Sequence, residues 1–245
     1  MTPNERFKQD CVEEIEAQGK DKDLLAKSHD WFLAANARKY SYHFEWMGRP
    51  IIQYPQDIVA MQELIWRVRP EVIVETGVAH GGSLVFYASM LELMGGEREV
   101  IGVDIDIRPH NRKAIEEHPM ARRISLIQGS SIDSGIVSEV RERVGARAPV
   151  MVVLDSNHTH QHVLEELRLY SPFVSKGSYL VVFDTVIEDM PVQAFGDRPW
   201  RPGNSPKSAV FEFLRENRRF RIDSGVDDKL LVSVAPSGYL QCIGD

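Results

Sequence analysis

Residues 71–84 read EVIVETGVAHGGSL, a β-branched run that stops at an acid and passes through three glycines into a second apolar segment. Val72 to Val74 is too short a run for a helix, so the stretch is predicted to be a strand, a tight loop and the start of a helix. Gly77, Gly81 and Gly82 let backbone approach a ligand closely. The helix that follows points free N–H groups at an anion, with the Ser83 hydroxyl placed to join them. The spacing bears on which ligand. A dinucleotide loop reads G-x-G-x-x-G, whereas this one reads G-V-A-H-G-G behind Glu75, and an anionic side chain at that mouth repels a pyrophosphate. The same carboxylate would pair with an ammonium. S-adenosylmethionine (SAM) carries an ammonium, a carboxylate and a sulfonium, and suits an acid followed by a glycine loop better than NAD does. No Gly-Lys-Ser/Thr follows, which excludes a P-loop. A ligand-free strand-to-helix turn remains the competing reading.

Outward from this stretch the pattern alternates strand and helix. Strands are predicted at Glu99 to Val103, Ile124 to Ile127, Val150 to Leu154, Tyr179 to Val182, Phe220 to Ile222 and Leu230 to Val234, with the last antiparallel. The fold class is therefore α/β, a Rossmann-like sheet of seven mostly parallel strands covered on both faces. Helices are expected from about 109 to 117, 132 to 144, 160 to 170 and 207 to 216, the last capped by Ser205 with Pro206 at its first position. Residues 1–55 read as a helical N-terminal extension and 56–245 as the sheet domain, opened by a helix at Gln56 to Val68. The extension ends in an aromatic segment, YSYHFEWMGRPIIQYPQD, that either packs on its own domain, lines a substrate pocket or meets another copy of the chain. Between the fifth strand and the helix capped by Ser205 lies IEDMPVQAFGDRPWRPGN, too rich in proline and glycine for a regular element and placed to act as a lid.

The composition narrows the partners. With 245 residues and 43% hydrophobic content, the chain can bury a sizeable core. A formal net charge of -7 argues against nucleic acid, which is bound by clustered Lys and Arg. Cys11 and Cys242 stand alone at opposite ends and match no metal spacing. No apolar run approaches the ~20 residues of a membrane span, and the N-terminus lacks the apolar core of a signal peptide. A cytoplasmic protein with a small-molecule substrate is expected.

Ligands of open α/β sheets bind beyond the carboxyl ends of the strands, and polar groups recur there. Asp104, ending the second strand, can accept the hydroxyls of a ribose; a solvated turn is the alternative. Ser130 and Ser131, behind Gly129, could border an adenine. Asp155 and Asp184 end neighbouring strands and together make an oxygen site for Mg²⁺. His158 lies three residues beyond Asp155, where an imidazole can take a proton from a hydroxyl acidified by a metal. His160 and His162 read as the start of a helix, exposed or capping. The rival chemistry is a non-haem iron oxygenase with Asp155, His158 and His160 as ligands. That reading leaves the Gly77 loop unexplained and crowds three ligands into six residues.

Taken together, the motifs MGRPIIQYPQD, ETGVAHGGS, VIGVDID, QGSSID, LDSNHTHQHVLEELRLYSPFVSKGSYLVV, RPWRPGNSPKSAVFEFL and APSGYL resemble the cephalosporin hydroxylase/rhamnosyl O-methyltransferase family over most of the chain. The resemblance implies a class I SAM-dependent O-methyltransferase acting on a hydroxyl of a rhamnose-like sugar or another secondary metabolite. It implies that Glu75, Gly77, Gly81, Ser83 and Asp104 hold SAM, with Asp155 beside it, that Asp155 and Asp184 hold the metal, and that His158 is the base. Relatives often have an acid immediately before the position of Asp184, where this chain has Phe183, which leaves the third protein ligand unassigned. The fourth strand ends D-S-N-H, unlike the N/D-P-P-Y/F of base N-methyltransferases. The aromatic N-terminal segment makes a homo-oligomer an expectation.

Overall fold

Strands buried on both faces can only sit in the middle of a layered domain, and β-branched runs such as VIVET and VMVVL supply them. The structure is a computed structural model and describes residues 1–244. It begins with α1 (Pro3–Gln18) and α2 (Lys22–Asn36), a 3-10 turn (Tyr40–His43), the short hairpin strands β1 (Glu45–Trp46) and β2 (Arg49–Pro50), and α3 (Pro55–Val68). Alternation follows: β3 (Val72–Thr76), α4 (Gly82–Met94), β4 (Glu99–Asp104), α5 (Pro109–Glu116), β5 (Ile124–Gln128), α6 (Ser134–Val144), β6 (Val150–Leu154), α7 (His160–Tyr170) and β7 (Tyr179–Val182). The chain closes with α8 (Pro206–Glu216), β8 (Phe220–Ile222), α9 (Ser224–Leu230) and β9 (Tyr239–Cys242).

Among the described residues the main sheet has seven strands in the order β5-β4-β3-β6-β7-β9-β8. The first five are parallel, and β9 runs antiparallel to both β7 and β8. Successive side chains of a strand face opposite ways. Val72 and Val74 enter the core made with α6, α7 and α8, while Ile73 enters the one made with α3 and α4. From β3 the chain first winds outward to β4 and β5, then returns to the other side of β3 as β6. The order thus reverses at the β3/β6 boundary, where a crevice opens at the strand ends.

The N-terminal extension is divided in its packing. α1 buries no residue, whereas Phe32 of α2 is 4% exposed, stacks on Tyr54 at 5.0 Å and shares a core with Leu64. Trp46 packs edge-on against Phe86 at 4.7 Å and donates its indole N–H to the Ser89 hydroxyl at 3.0 Å. Most of the aromatic segment is therefore packing, and Tyr42 is its exposed member.

One expected strand is absent. Residues 230–234 end α9 and continue as irregular backbone, and the antiparallel strand lies further on at Tyr239–Cys242. The alternating apolar run 230–234 imitates a strand, but the Val234 N–H bonds to the Asp57 carboxylate at 3.0 Å instead of a neighbouring strand. Tyr239 and Leu240 take the pleated positions, one in each core. Among the described residues no helix is long and apolar enough to cross a membrane.

Asp57 anchors this C-terminal stretch to α3. It is fully buried and also accepts hydroxyl protons from Ser233 at 2.6 Å and Tyr239 at 2.7 Å. Burial outweighs these bonds and pushes its pKa up to about 6; Asp227 is pushed to about 7, again by burial first. The unfolded chain sheds these protons near pH 4, so the folded form binds more protons between about pH 4 and 7, and stability must fall as pH rises through that window. Urea unfolding is expected to give a higher midpoint at pH 5 than at pH 7.5, with a smaller difference in Asp57→Asn. Asp57→Ala strands three donors and is expected to cost about 2–4 kcal/mol at pH 7.

Candidate active site

The loop after β3 is held by its own chain. The Gly77 N–H bonds to the Val103 carbonyl at 2.8 Å, and the Asp155 N–H to the Thr76 carbonyl at 2.9 Å, extending the ladder past the strand ends. Gly77 has φ +94°, and a Cβ there would stand 2.0 Å from the carbonyl oxygen of Asp155. A Cβ on Gly82 would stand 2.1 Å from that of Pro50. These two glycines thus permit backbone to meet backbone within the protein. The carbonyls of Ala79 and His80 are held in turn by Asn111 and Arg49, at 2.9 Å and 2.5 Å.

Glu75, at the end of β3, is fully buried. Its Oε2 accepts the Ser83 hydroxyl proton at 2.7 Å, Tyr87 faces the same carboxylate, and Oε1 has no partner. Burial dominates and raises its pKa to about 8, Asp104 adding repulsion. Ser83, expected to join the helix N–H groups, is thus spent on orienting Glu75. Asp104 is also partly engaged: Oδ2 accepts the N–H groups of Val78 at 2.7 Å and Ala79 at 3.3 Å, and Oδ1 that of Asp106 at 3.0 Å.

A cleft of about 230 Å³ opens at these strand ends, lined by Gly77, Asp104, Ser130, Ser131, Asp155 and His162, among others. The first five of these were singled out in the sequence. Glu75, Gly81 and Ser83 do not line this cleft, and His158 and Asp184 line a different pocket. His162 is an addition. Its Nε2 lies 3.1 Å from the Ser131 hydroxyl and 3.5 Å from Glu166, a fully buried acid that also accepts the Ser156 hydroxyl proton at 2.7 Å. The i, i+4 spacing of His162 and Glu166 on α7 was a visible signal for that pair.

On the other side of Asp155, ligand atoms of Asp155, His158 and Asp184 all lie within 4.8 Å of one another. His158 Nε2 is 3.3 Å from Asp184 Oδ2. The Asp155 carboxyl is held well above the usual range, by burial first and then by the facing charge of Asp184. Asp184 itself takes a left-handed conformation, φ +56°, uncommon for a side-chain-bearing residue and frequent at functional sites. Phe183 is 2% exposed, in the core with α3 and α4, so it offers nothing to this cluster. His160 is turned elsewhere: Nδ1 lies 2.8 Å from Ser208 and Nε2 3.2 Å from Glu212, both on α8. The iron triad of Asp155, His158 and His160 is therefore not assembled.

A second pocket of about 410 Å³ begins at His158 and Asp184. The proline- and glycine-rich segment contributes Met190, Phe195, Arg198 and Trp200 to its wall, and the extension contributes Phe32, Asn36 and Tyr42. Gln53, unnoticed in the sequence, also lines it and donates to Asp155 Oδ2 at 3.4 Å. A carboxylate-and-imidazole cluster between a smaller cleft and a larger pocket with aromatic and polar walls can bring two molecules together at one oxygen.

Comparison with known proteins agrees with the resemblance read from the motifs. The family model described as Rhamnosyl O-methyltransferase/CmcI matches residues 38–243. A rhamnosyl O-methyltransferase of Mycobacterium tuberculosis is 30% identical over 201 residues, 80% of this chain and 76% of that protein. One of Mycobacterium leprae is 29% identical over 200 residues, covering 80% and 81%. Among solved structures, CmcI with Mg and SAM superposes with a TM-score of 0.57 at 21% identity, over 83% of this chain and 78% of that one. An O-methyltransferase from Bacillus cereus in complex with SAH gives 0.52 at 14% identity, over 82% of each chain. These superpositions bear out the class I methyltransferase fold.

Gly77→Ala is expected to lower stability by about 2 kcal/mol or more, because both the left-handed backbone and the Asp155 carbonyl oppose a methyl group. Urea unfolding measures it, and Gly48→Ala, where the space is open, serves as a control for the conformational part alone.

Proposed function

The chain belongs to the Rhamnosyl O-methyltransferase/CmcI family, and on that premise we propose that it is an O-methyltransferase that moves the methyl group of SAM to a hydroxyl of a sugar, rhamnose-like, or of another secondary metabolite. The observation that carries the cofactor reading is Glu75. A buried carboxylate with one oxygen fixed by Ser83 and the other unpartnered is a socket for a cation, and the ammonium of SAM supplies one. Gly77, Asp104, Ser130 and Ser131 line the cleft that would take its ribose and base, with Gly81 closing the loop. Asp104 keeps a lone pair free on Oδ1 for a ribose hydroxyl.

SAM supplies an electrophilic methyl carbon. Asp155 and Asp184 are the groups that would hold Mg²⁺, an ion that is bound through one or two carboxylates and waters, so the lack of an acid at Phe183 does not prevent the fit. The ion would lower the pKa of a hydroxyl held beside it. His158 removes the proton. Its Nε2 lies against Asp184, which favours a proton at Nε2 and leaves Nδ1 to accept. Its ring is held edge-on at 4.9 Å from Trp200, which fixes the imidazole plane. Holding oxygen and methyl donor in line on either side of Asp155 makes the displacement a matter of positioning.

The demethylated cofactor, SAH, is expected to raise the melting temperature, and NAD to leave it unchanged. Because burial pushes Glu75 up to about 8, binding an ammonium below that pH is expected to expel its proton. Affinity should therefore climb as pH rises from 6 to 7.5, by up to about tenfold per unit. Titration calorimetry in buffers of different ionisation enthalpy reads the released proton, and Glu75→Gln should weaken binding and flatten the profile. His158→Ala and Asp155→Asn should each lower methyl transfer from labelled SAM to hydroxylated glycosides by at least about 100-fold while SAH still binds. Full activity in either variant removes that residue from the mechanism.

A further inference from the structure

The pocket that begins at His158 has chemistry beyond the transfer itself, and its role as an acceptor site rests on the methyltransferase reading. Its volume of about 410 Å³ falls within the range of roughly 300–1,000 Å³ that encloses drug-sized ligands. Four aromatic side chains contribute to the wall: Tyr42 and Trp200 are the open pair, and Phe32 and Phe195 lie largely buried behind them. Aromatic faces of this kind take a ring system by stacking. Phe32 and Asn36 precede residue 38, where the family match begins, so this part of the wall lies outside the shared family region.

Polar groups share the wall: Asn36, Ser41, Gln53, His158, Asp184 and Arg198. Gln53 is 6% exposed, and its Oε1 has no partner. Arg198 stands with its guanidinium 5.6 Å from the centre of the Trp200 ring. Among the described residues it makes no ion pair, and neither does Asp197 beside it. The nearby acids are engaged elsewhere: Asp189 with Lys207 at 2.6 Å, and Glu188 with the Gly203 N–H at 3.0 Å. A run of contacts leads from this cation through Trp200 to His158 and Asp184. A divalent ion on Asp155 and Asp184 would offset both carboxylates, leaving Arg198 as the uncompensated charge of the pocket. A guanidinium grips a carboxylate or sulfate with paired, charge-assisted hydrogen bonds.

We infer that the acceptor is an acid: a hydroxylated molecule whose flat ring system lies against Phe32, Tyr42, Phe195 and Trp200, and whose carboxylate or sulfate pairs with Arg198 while its hydroxyl reaches His158. The free Gln53 oxygen takes a donor of the same molecule close to the reacting hydroxyl.

Two fluorescent probes separate charge from shape. 8-Anilinonaphthalene-1-sulfonate has the flat rings and the anion, and N-phenyl-1-naphthylamine has the rings alone. Both are titrated into the full chain in the presence of SAH, and both are expected to bind the wild-type protein. Arg198→Gln is expected to weaken the sulfonate about tenfold and leave the neutral probe unchanged. Arg198→Lys should fall between, and Phe32→Ala should weaken both. The SAH-induced thermal shift should be the same in all three variants. Sulfonate affinity unaltered in Arg198→Gln overturns the inference, as does an equal loss of both probes in that variant or no sulfonate binding by the wild type. Absence of any SAH shift would instead remove the methyltransferase reading, and the probe pair would still decide whether the pocket selects an anion.

Discussion

At the centre of the molecule two backbones touch. Gly77 and Asp155 leave adjacent parallel strands, and the gap between them admits no side chain, as the 2.0 Å approach of a Cβ on Gly77 shows. That contact places the glycine loop and Asp155 against each other. It seats the glycine loop against the end of β6, so that Asp155 stands between a cleft on one side and a pocket on the other. A second close approach, Gly82 against the Pro50 carbonyl, draws the segment after the short hairpin over the start of α4 and delivers Gln53 to the same carboxylate. Both sites are thus set by main-chain packing, which tolerates less adjustment than side chains do.

Below this contact the interior is unusually acidic. Glu75, Asp57 and Asp155 are all held above the ordinary carboxylate range, burial being the largest cause in each, with neighbouring acids adding to it: Asp104 at Glu75, Asp184 at Asp57, and Asp184 and Glu75 at Asp155. Burial favours the protonated form of each, and an incoming cation that pairs with one of them displaces that proton. The left-handed backbone of Asp184 belongs to the same account, since strained conformations persist where the surroundings fix them.

Much of this was legible in the sequence, for a physical reason. Parallel strands buried on both faces must be continuous apolar runs, and their polar ends must gather at one rim, so VMVVLD declares both a strand and a rim carboxylate. Local geometry was harder. Nothing in the spacing of Glu75 and Ser83 says that the hydroxyl turns back to the acid, and Gln53 acquires a role only through the Gly82 contact far along the chain. His162 looked like an ordinary first-turn residue because its partner Ser131 comes from another strand end. The run at 230–234 carried the alternation of a strand, yet its backbone was claimed by Asp57, a buried acceptor 177 residues away from Val234. Tertiary demand overrode local pattern there.

The loop over the larger pocket is fastened at its neck. Glu188 receives the Gly203 N–H and the Ser205 hydroxyl, Asp189 holds Lys207, and the side-chain amide oxygen of Asn204 accepts the His160 N–H at 2.9 Å. The residues between, which include Phe195, Arg198 and Trp200, form a purse with its drawstring tied on the helices behind the sheet. The pocket wall that carries Phe195, Arg198 and Trp200 is thus anchored away from the strand ends, and the smaller cleft lies on the far side of Asp155.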